Sequence, residues 1–434
     1  MKQLTRLFIP ICLETLFYML SGMVDTLMLS AVGDYAVGAV GTANSYIGIF
    51  IIMFSIISSG MVSVMTQNIG AGRPGVAYQA RQLGLLFNAV AGVLMAVFLF
   101  SGAGAILRMV GIADALYEPA LIYLKIVGGG CILNAVIPIF SSYLRAFGYT
   151  KQPLYATIVG NIANFVMNAV FLFVLHKGVA GVATATVISK ILNLCIVLYF
   201  SHKLISAKNS TERIANKTVL GQIVKVGLPS ACETALYNVA MMLVIRFLNQ
   251  MDAEGLNVTA RSYTATISNF SYCVGAALAQ ANAIMTGWHI GAGELEECDR
   301  GTKRAAFVGV CVAVCMETAI VLGSGFIMPL FTDNPEMTAL VRKLLAIDIV
   351  LEIGRVTNLV FGQDLKTSGD AVFPAVIAAV FMFVFAVGGT WLFGISMGLM
   401  AVGAYIGLAS DECVRAVGMV WRWKTGKWRT KKLV

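Results

Sequence analysis

Leu7 to Ser30 reads LFIPICLETLFYMLSGMVDTLMLS, long and apolar enough to cross a bilayer as a helix, yet it carries two acids, Glu14 and Asp25. An acid at membrane depth costs about 2.5–3.5 kcal/mol on insertion scales, so two in one span require compensation. On a helix, Pro10, Glu14, Tyr18, Ser21 and Asp25 follow one another at steps of three and four and form one stripe. That stripe is predicted to face protein or water. The acids are separated by about 16 Å of helix rise, one on each side of the membrane centre.

Working outward from this stretch, the composition gives the class. The chain is 58% hydrophobic and 12% charged, with repeated apolar runs of about 20 residues, the pattern of a polytopic helical membrane protein. Alternating ten-residue segments are missing, so a barrel is not supported. The chain opens almost directly on its first span, without a small-residue cleavage site, so no removable leader is expected. The net charge of +9 follows the membrane, because the basic residues cluster in alternate loops. Nucleic acid is therefore not an expected partner. Nine cysteines lie scattered without metal spacing, and His176, His202 and His289 form no cluster. There is no HExxH motif, so an intramembrane enzyme is not expected, nor any cofactor.

Twelve spans are predicted, at about 7–30, 37–64, 83–102, 119–144, 154–176, 178–202, 223–248, 258–287, 304–328, 338–363, 371–395 and 397–421. With the N-terminus inside, Lys2, Arg6, Arg73, Arg81, Arg145, Lys151, Arg300 and the tail from Arg422 all fall in the cytoplasm. The tail WRWKTGKWRTKK, with Trp421, Trp423 and Trp428 among bases, suggests anchoring at the membrane interface.

A polar linker, Ser201 to Thr218, cuts the chain near its middle, and the flanking halves resemble each other. IPICLETLFY at Ile9 returns as LPSACETALY at Leu228, TANSY at Thr42 as TARSY at Thr259, IGAG at Ile69 again at Ile290, and LRAFG with Pro153 as LKTSG with Pro374. The order is kept and the offset is nearly constant. Six spans per half make the repeat parallel, with an axis along the membrane normal. The expected fold is therefore an all-α membrane protein of twelve transmembrane helices in two pseudo-symmetric six-helix bundles. Its parts are an N-lobe at 1–200, a cytoplasmic linker at 201–218, a C-lobe at 219–421 and a basic tail at 422–434. Two such bundles around a cleft are a transporter plan.

Within the spans, Asn161, Asn164 and Asn168 share one face of span 5, and Thr184 and Thr186 lie in span 6. Amides and hydroxyls of this kind serve either as glue between helices or, with Asp25, as oxygen ligands for a proton or a hard cation such as Na⁺. Span 10 carries Asp348, Glu352 and Arg355, so Arg355 can neutralise one acid on the same helix face; the set is either a structural ion network or a functional one. Glu14 and Glu233, equivalent in the repeat, are either posts joining the lobes or acids facing a substrate. Tyr18 and Tyr237, one turn beyond them, belong to the same candidate cleft-lining set.

Over essentially the whole chain these elements resemble the multidrug and toxic compound extrusion (MATE) transporters. The resemblance rests on P-x-x-x-E and V-D-T-L-M in span 1, Q-N-I-G-A-G-R at Gln67, P-x(7)-N-x(2)-N-x(3)-N from Pro153, the second P-x-x-x-E in span 7, and E-x-x-R with L-K-x-x-G-D in span 10. It implies antiport, in which a cationic or amphiphilic organic compound leaves the cell as H⁺ or Na⁺ enters. It also implies that Asp25 is the coupling residue, with Asn164, Asn168 and Thr186 as its polar partners and Na⁺ at Asp25 as the only metal in view. Asn168 stands where some members have a second aspartate. In the C-lobe, Tyr237 and Arg355 stand where one branch has acids, which argues against a sodium site of that branch's kind. The alternative cargo is a lipid-linked saccharide or another amphiphile moved by a related two-lobe flippase. The resemblance further implies a monomer in a bacterial or archaeal cytoplasmic membrane, with both termini inside.

Overall fold

The repeated glycines become repeated helix caps. In a computed structural model, which describes residues 2–110, 112–205, 212–252 and 254–434, Gly72 and Gly293 adopt φ of 73° and 79°, and Gly148 and Gly369 adopt 83° and 97°. That left-handed region is open to glycine at little cost and ends a helix cleanly. The Tyr149 N–H donates to the Leu144 carbonyl and the Asp370 N–H to the Leu365 carbonyl, both at 2.9 Å. LRAFG and LKTSG are thus the same cap made twice.

Thirteen α-helices form among the described residues: α1 (Lys2–Ser30), α2 (Asp34–Gly70), α3 (Pro74–Val110), α4 (Asp114–Gly129), α5 (Cys131–Ala146), α6 (Lys151–Ala169), α7 (Gly178–Leu204), α8 (Asn216–Met251), α9 (Leu256–Ala292), α10 (Leu295–Ile327), α11 (Pro335–Ser368), α12 (Val372–Phe381) and α13 (Met400–Lys424). They make twelve segments, because α4 and α5 are one span bent by 42°. The bend falls at Gly128, Gly129 and Gly130, where the chain has no side chains to stiffen it. Among the described residues, eight helices are long and apolar enough to cross a membrane, or nine if the bent pair is counted as one span. Helices α9, α11 and α13 have the length but are more polar. Met1 and residues 206–211 of the polar linker lie outside the described residues.

The fifth segment of each half ends in a wider, π-helical stretch, Val170–Val174 after α6 and Thr390–Ser396 beyond α12, at equivalent positions of the repeat. Such stretches are rare and concentrate at functional sites. The first of them begins just beyond Asn168.

The chain divides into two compact units, Lys2–Gly227 and Leu228–Val434. In the first, an apolar core runs through α2, α3, α4, α5 and α7 around Phe54, Leu99, Leu124 and Val182. Glycine also allows close backbone approach there. A Cβ at Gly227 would fall 1.7 Å from the Ile56 carbonyl oxygen, and one at Gly60 would fall 2.0 Å from that of Ile223. In the second unit the core joins α8, α9, α10, α11 and α13 around Leu248, Leu345, Leu351 and Tyr405. Two of the three tail tryptophans contribute to packing here, which corrects the interfacial expectation. Trp423 and Trp428 are buried and stacked at 4.2 Å, with Phe361 against the edge of Trp423, and only Trp421 is exposed.

Candidate functional site

The asparagine stripe of α6 runs alongside α1. Asn161 donates to the Phe17 carbonyl at 2.9 Å, and Asn168 donates to the Asp25 carboxylate at 2.8 Å. Because 161 meets 17 and 168 meets 25, the two helices run in the same direction. That requires an even number of crossings' difference between them, as the bent α4–α5 span provides. Asn168 also donates to the Asn164 side-chain oxygen at 3.1 Å and is fully buried, so its amide links Asn164 to the Asp25 carboxylate. The structure therefore brings together Asp25, Asn164 and Asn168. Thr186 bonds back to the Val182 carbonyl at 2.9 Å and meets the hydroxyl of Tyr123, which also meets Asn44.

One charged residue at this site lies outside the set chosen from the sequence. Lys190, on α7 one turn beyond Thr186, donates to Asn134 at 2.8 Å and is close enough to Asp25 to interact with it electrostatically. A lysine within an apolar span carries the same signal as Asp25 itself. The site thus holds a carboxylate, a neighbouring ammonium and several amide and hydroxyl groups, a set whose net charge changes when one proton or cation arrives.

Glu14 and Glu233 each find a base inside their own unit. Arg145 meets Glu14 at 2.6 Å and Lys366 meets Glu233 at 2.8 Å. These bases occupy the same place in LRAFG and LKTSG, so the repeat preserves an ion pair as well as a cap. Tyr18, although on the same stripe as Glu14, is 73% exposed.

The second unit concentrates charge differently. Arg355 pairs with Glu352 and lies 3.7 Å from Glu412, while Arg415 bonds Asp411 at 2.7 Å and Glu412 at 2.8 Å. Asn358 donates to the other Glu412 oxygen at 3.0 Å. The close crossing of α11 and α13 at Gly354, where a Cβ would fall 2.7 Å from the Cys413 nitrogen, makes these pairings possible. Tyr237, Asp348 and Arg355 line one cavity of about 260 Å³ with Arg261, Tyr272 and Tyr405. Glu317 of α10, also absent from the sequence-derived set, lies beside Asp348 and Glu352.

The MatE family profile matches residues 10–170 and 229–392, one match in each half of the chain. The chain belongs to the MatE family. It is 32% identical over 428 residues to the uncharacterized transporter YisQ of Bacillus subtilis (strain 168), covering 97% of this chain and 94% of that one. It is 20% identical over 446 residues to the probable multidrug resistance protein NorM of Thermotoga maritima, covering 100% and 94%. A crystal structure of a MATE protein in complex with MaD3S matches its fold with a TM-score of 0.89 at 20% identity, over 99% of this chain and 97% of that one. MatE proteins are transporters and not enzymes, so this chain is a multi-pass membrane transporter.

Proposed function

We propose that this MatE protein is a secondary active antiporter, exporting cationic or amphiphilic organic compounds in exchange for H⁺ or Na⁺ by alternating access. The observation that carries the reading is the Asp25 site: a carboxylate on an apolar helix, held by Asn168 and facing Lys190. When Asp25 is ionised, Lys190 balances its charge. When a proton or Na⁺ neutralises it, Lys190 is left in excess and the site disfavours a second cation. Coupling follows from this exclusion, because the inward-moving ion and an outbound cation cannot both be held at low cost. Asn164, Asn168 and Thr186 orient the carboxylate and supply further oxygen ligands.

The loop charges support a cytoplasmic-membrane location in a bacterium or archaeon with both termini inside. The flippase alternative needs a strongly basic lumen. Arg355 and Arg415 are both engaged by acids of their own unit, which weighs against that cargo. The direct test is Asp25→Asn expressed at wild-type level. Loss of resistance to cationic dyes with unchanged thermal stability is expected, and full resistance in that variant refutes the role of Asp25.

A further inference from the structure

Helices α6 and α7 of the first unit run antiparallel, with the start of one beside the end of the other. The Tyr149 hydroxyl, just before α6, donates to the Leu204 carbonyl at the end of α7 at 3.4 Å. Further along, Gly160 brings α6 close to α7, where a Cβ would fall 3.4 Å from the Ser189 carbonyl oxygen. Each helix exposes one row of side chains at steps of three and four, which keeps a row on one face. On α6 the row is Lys151, Tyr155, Val159, Ile162 and Val166. On α7, taken from its end, it is Lys203, Tyr199, Cys195, Ile191 and Ile188. The two rows share one pattern: a lysine at the helix end, a tyrosine one turn in, and apolar residues beyond. Between them Tyr155, Val159, Cys195 and Tyr199 line an open groove of about 540 Å³.

Charge and length both say what fits this groove. Lys203 lies 5.2 Å over the Tyr199 ring and donates to its hydroxyl at 2.9 Å, which holds the ammonium at the head of the groove. The sequence has no Asp or Glu between Lys151 and Leu204, so the two lysines have no carboxylate on their own helices. From Tyr155 to Val166 the α6 row rises about 16 Å. That is close to half of a hydrocarbon core of roughly 30 Å, the depth of one leaflet. A soluble anion would use the lysines and leave the apolar rows bare. A neutral lipid would cover the rows and leave the lysines unmatched.

We infer that the α6–α7 groove is a binding site for one anionic phospholipid. Lys151 and Lys203 hold its phosphate, Tyr155 and Tyr199 meet the glycerol level with ring and hydroxyl, and an acyl chain lies along the apolar rows. The leaflet is the one on the side of the basic loops, since α6 starts and α7 ends there. None of Asp25, Asn164, Asn168 or Lys190 belongs to either row, so the inference goes beyond the export reading and does not rest on it.

The test uses full-length protein, purified in detergent and stripped of lipid, then titrated with phosphatidylglycerol or phosphatidylcholine of equal chain length under native mass spectrometry. In the wild type one phosphatidylglycerol is expected to bind ahead of the rest, roughly tenfold more tightly than phosphatidylcholine. Lys151→Gln combined with Lys203→Gln should remove that preference. Val159→Trp, which fills the groove but keeps both lysines, should weaken the first binding event roughly fivefold or more, by blocking the acyl chain. Arg342→Gln combined with Lys343→Gln, an exposed basic pair on α11, should leave it unchanged. The proposal is overturned by equal binding of the two lipids, by an undiminished first event in either groove variant, or by an equal loss in the α11 variant. Displacement of the bound lipid by sodium phosphate would identify a site for free anions and overturn it too. If the double lysine variant does not fold, Val159→Trp decides.

Discussion

At the scale of single residues, Asn168 is the most exacting position near Asp25, because one buried amide serves two acceptors at once. Asn168→Ala removes the donor and is expected to cut dye export at least tenfold in a cell-based assay, while costing only about 1 kcal/mol in unfolding experiments. The Glu14–Arg145 pair behaves differently. Arg145→Ala leaves a largely buried carboxylate without its base, and a loss of about 3 kcal/mol is expected in unfolding measurements. Glu14→Gln combined with Arg145→Gln should recover most of that loss, and Lys366→Ala should reproduce it in the other half. Much at this scale is legible from the sequence, since a charge amid apolar residues marks Asp25, and would equally mark Lys190 and Glu317. What the chain does not reveal is each partner. Asn134 lies 56 residues from Lys190, and Arg145, which by its place reads as a loop charge, is the base that meets Glu14 from 131 residues away.

At the scale of helices, close crossings depend on glycine. Gly354→Ala sets a methyl group against the backbone of α13, so the helices must separate; a cost of about 1–3 kcal/mol is expected, measured by thermal unfolding, with loosening of the Arg355–Glu412 approach. Capping matters at the start of α9. Asp252 accepts hydrogen bonds from the Leu256 N–H at 2.8 Å and the Asn257 N–H at 3.0 Å, and Asn257 in turn accepts from the Ala401 N–H at the start of α13. Burial works to raise the Asp252 carboxyl, but the hydrogen bonds outweigh it and hold the group below the usual carboxylate value. With the folded value depressed, the stabilisation is complete above about pH 4 and fades as the pH falls through the folded value. Asp252→Ala should therefore cost about 1 kcal/mol at neutral pH, and the difference from the wild type should shrink in acid unfolding curves. The duplicated sequence motifs announce the duplicated caps, because only glycine suits those turns. The Trp423–Trp428 stack was not legible, since an indole among lysines looks the same whether it meets lipid headgroups or its own chain.

At the scale of the whole molecule, the repeat, the twelve segments and the family are all written in the sequence, because hydrophobic length and ordered motifs survive averaging over hundreds of residues. The two halves nevertheless differ in their polar interiors, with one carboxylate beside a lysine in the first unit and an acid-rich network in the second. On the proposed reading the Asp25 site of the first unit is where a single ion decides the charge, and export should therefore depend on an ion gradient through Asp25. The most direct measurement is cationic-dye flux in proteoliposomes containing the purified protein, with an inward H⁺ or Na⁺ gradient imposed in turn. Accumulation of dye against its own gradient, driven by one of these ions and abolished in Asp25→Asn, is the expected result. Flux that only follows the dye gradient, or uphill transport that persists undiminished in Asp25→Asn, would contradict the account.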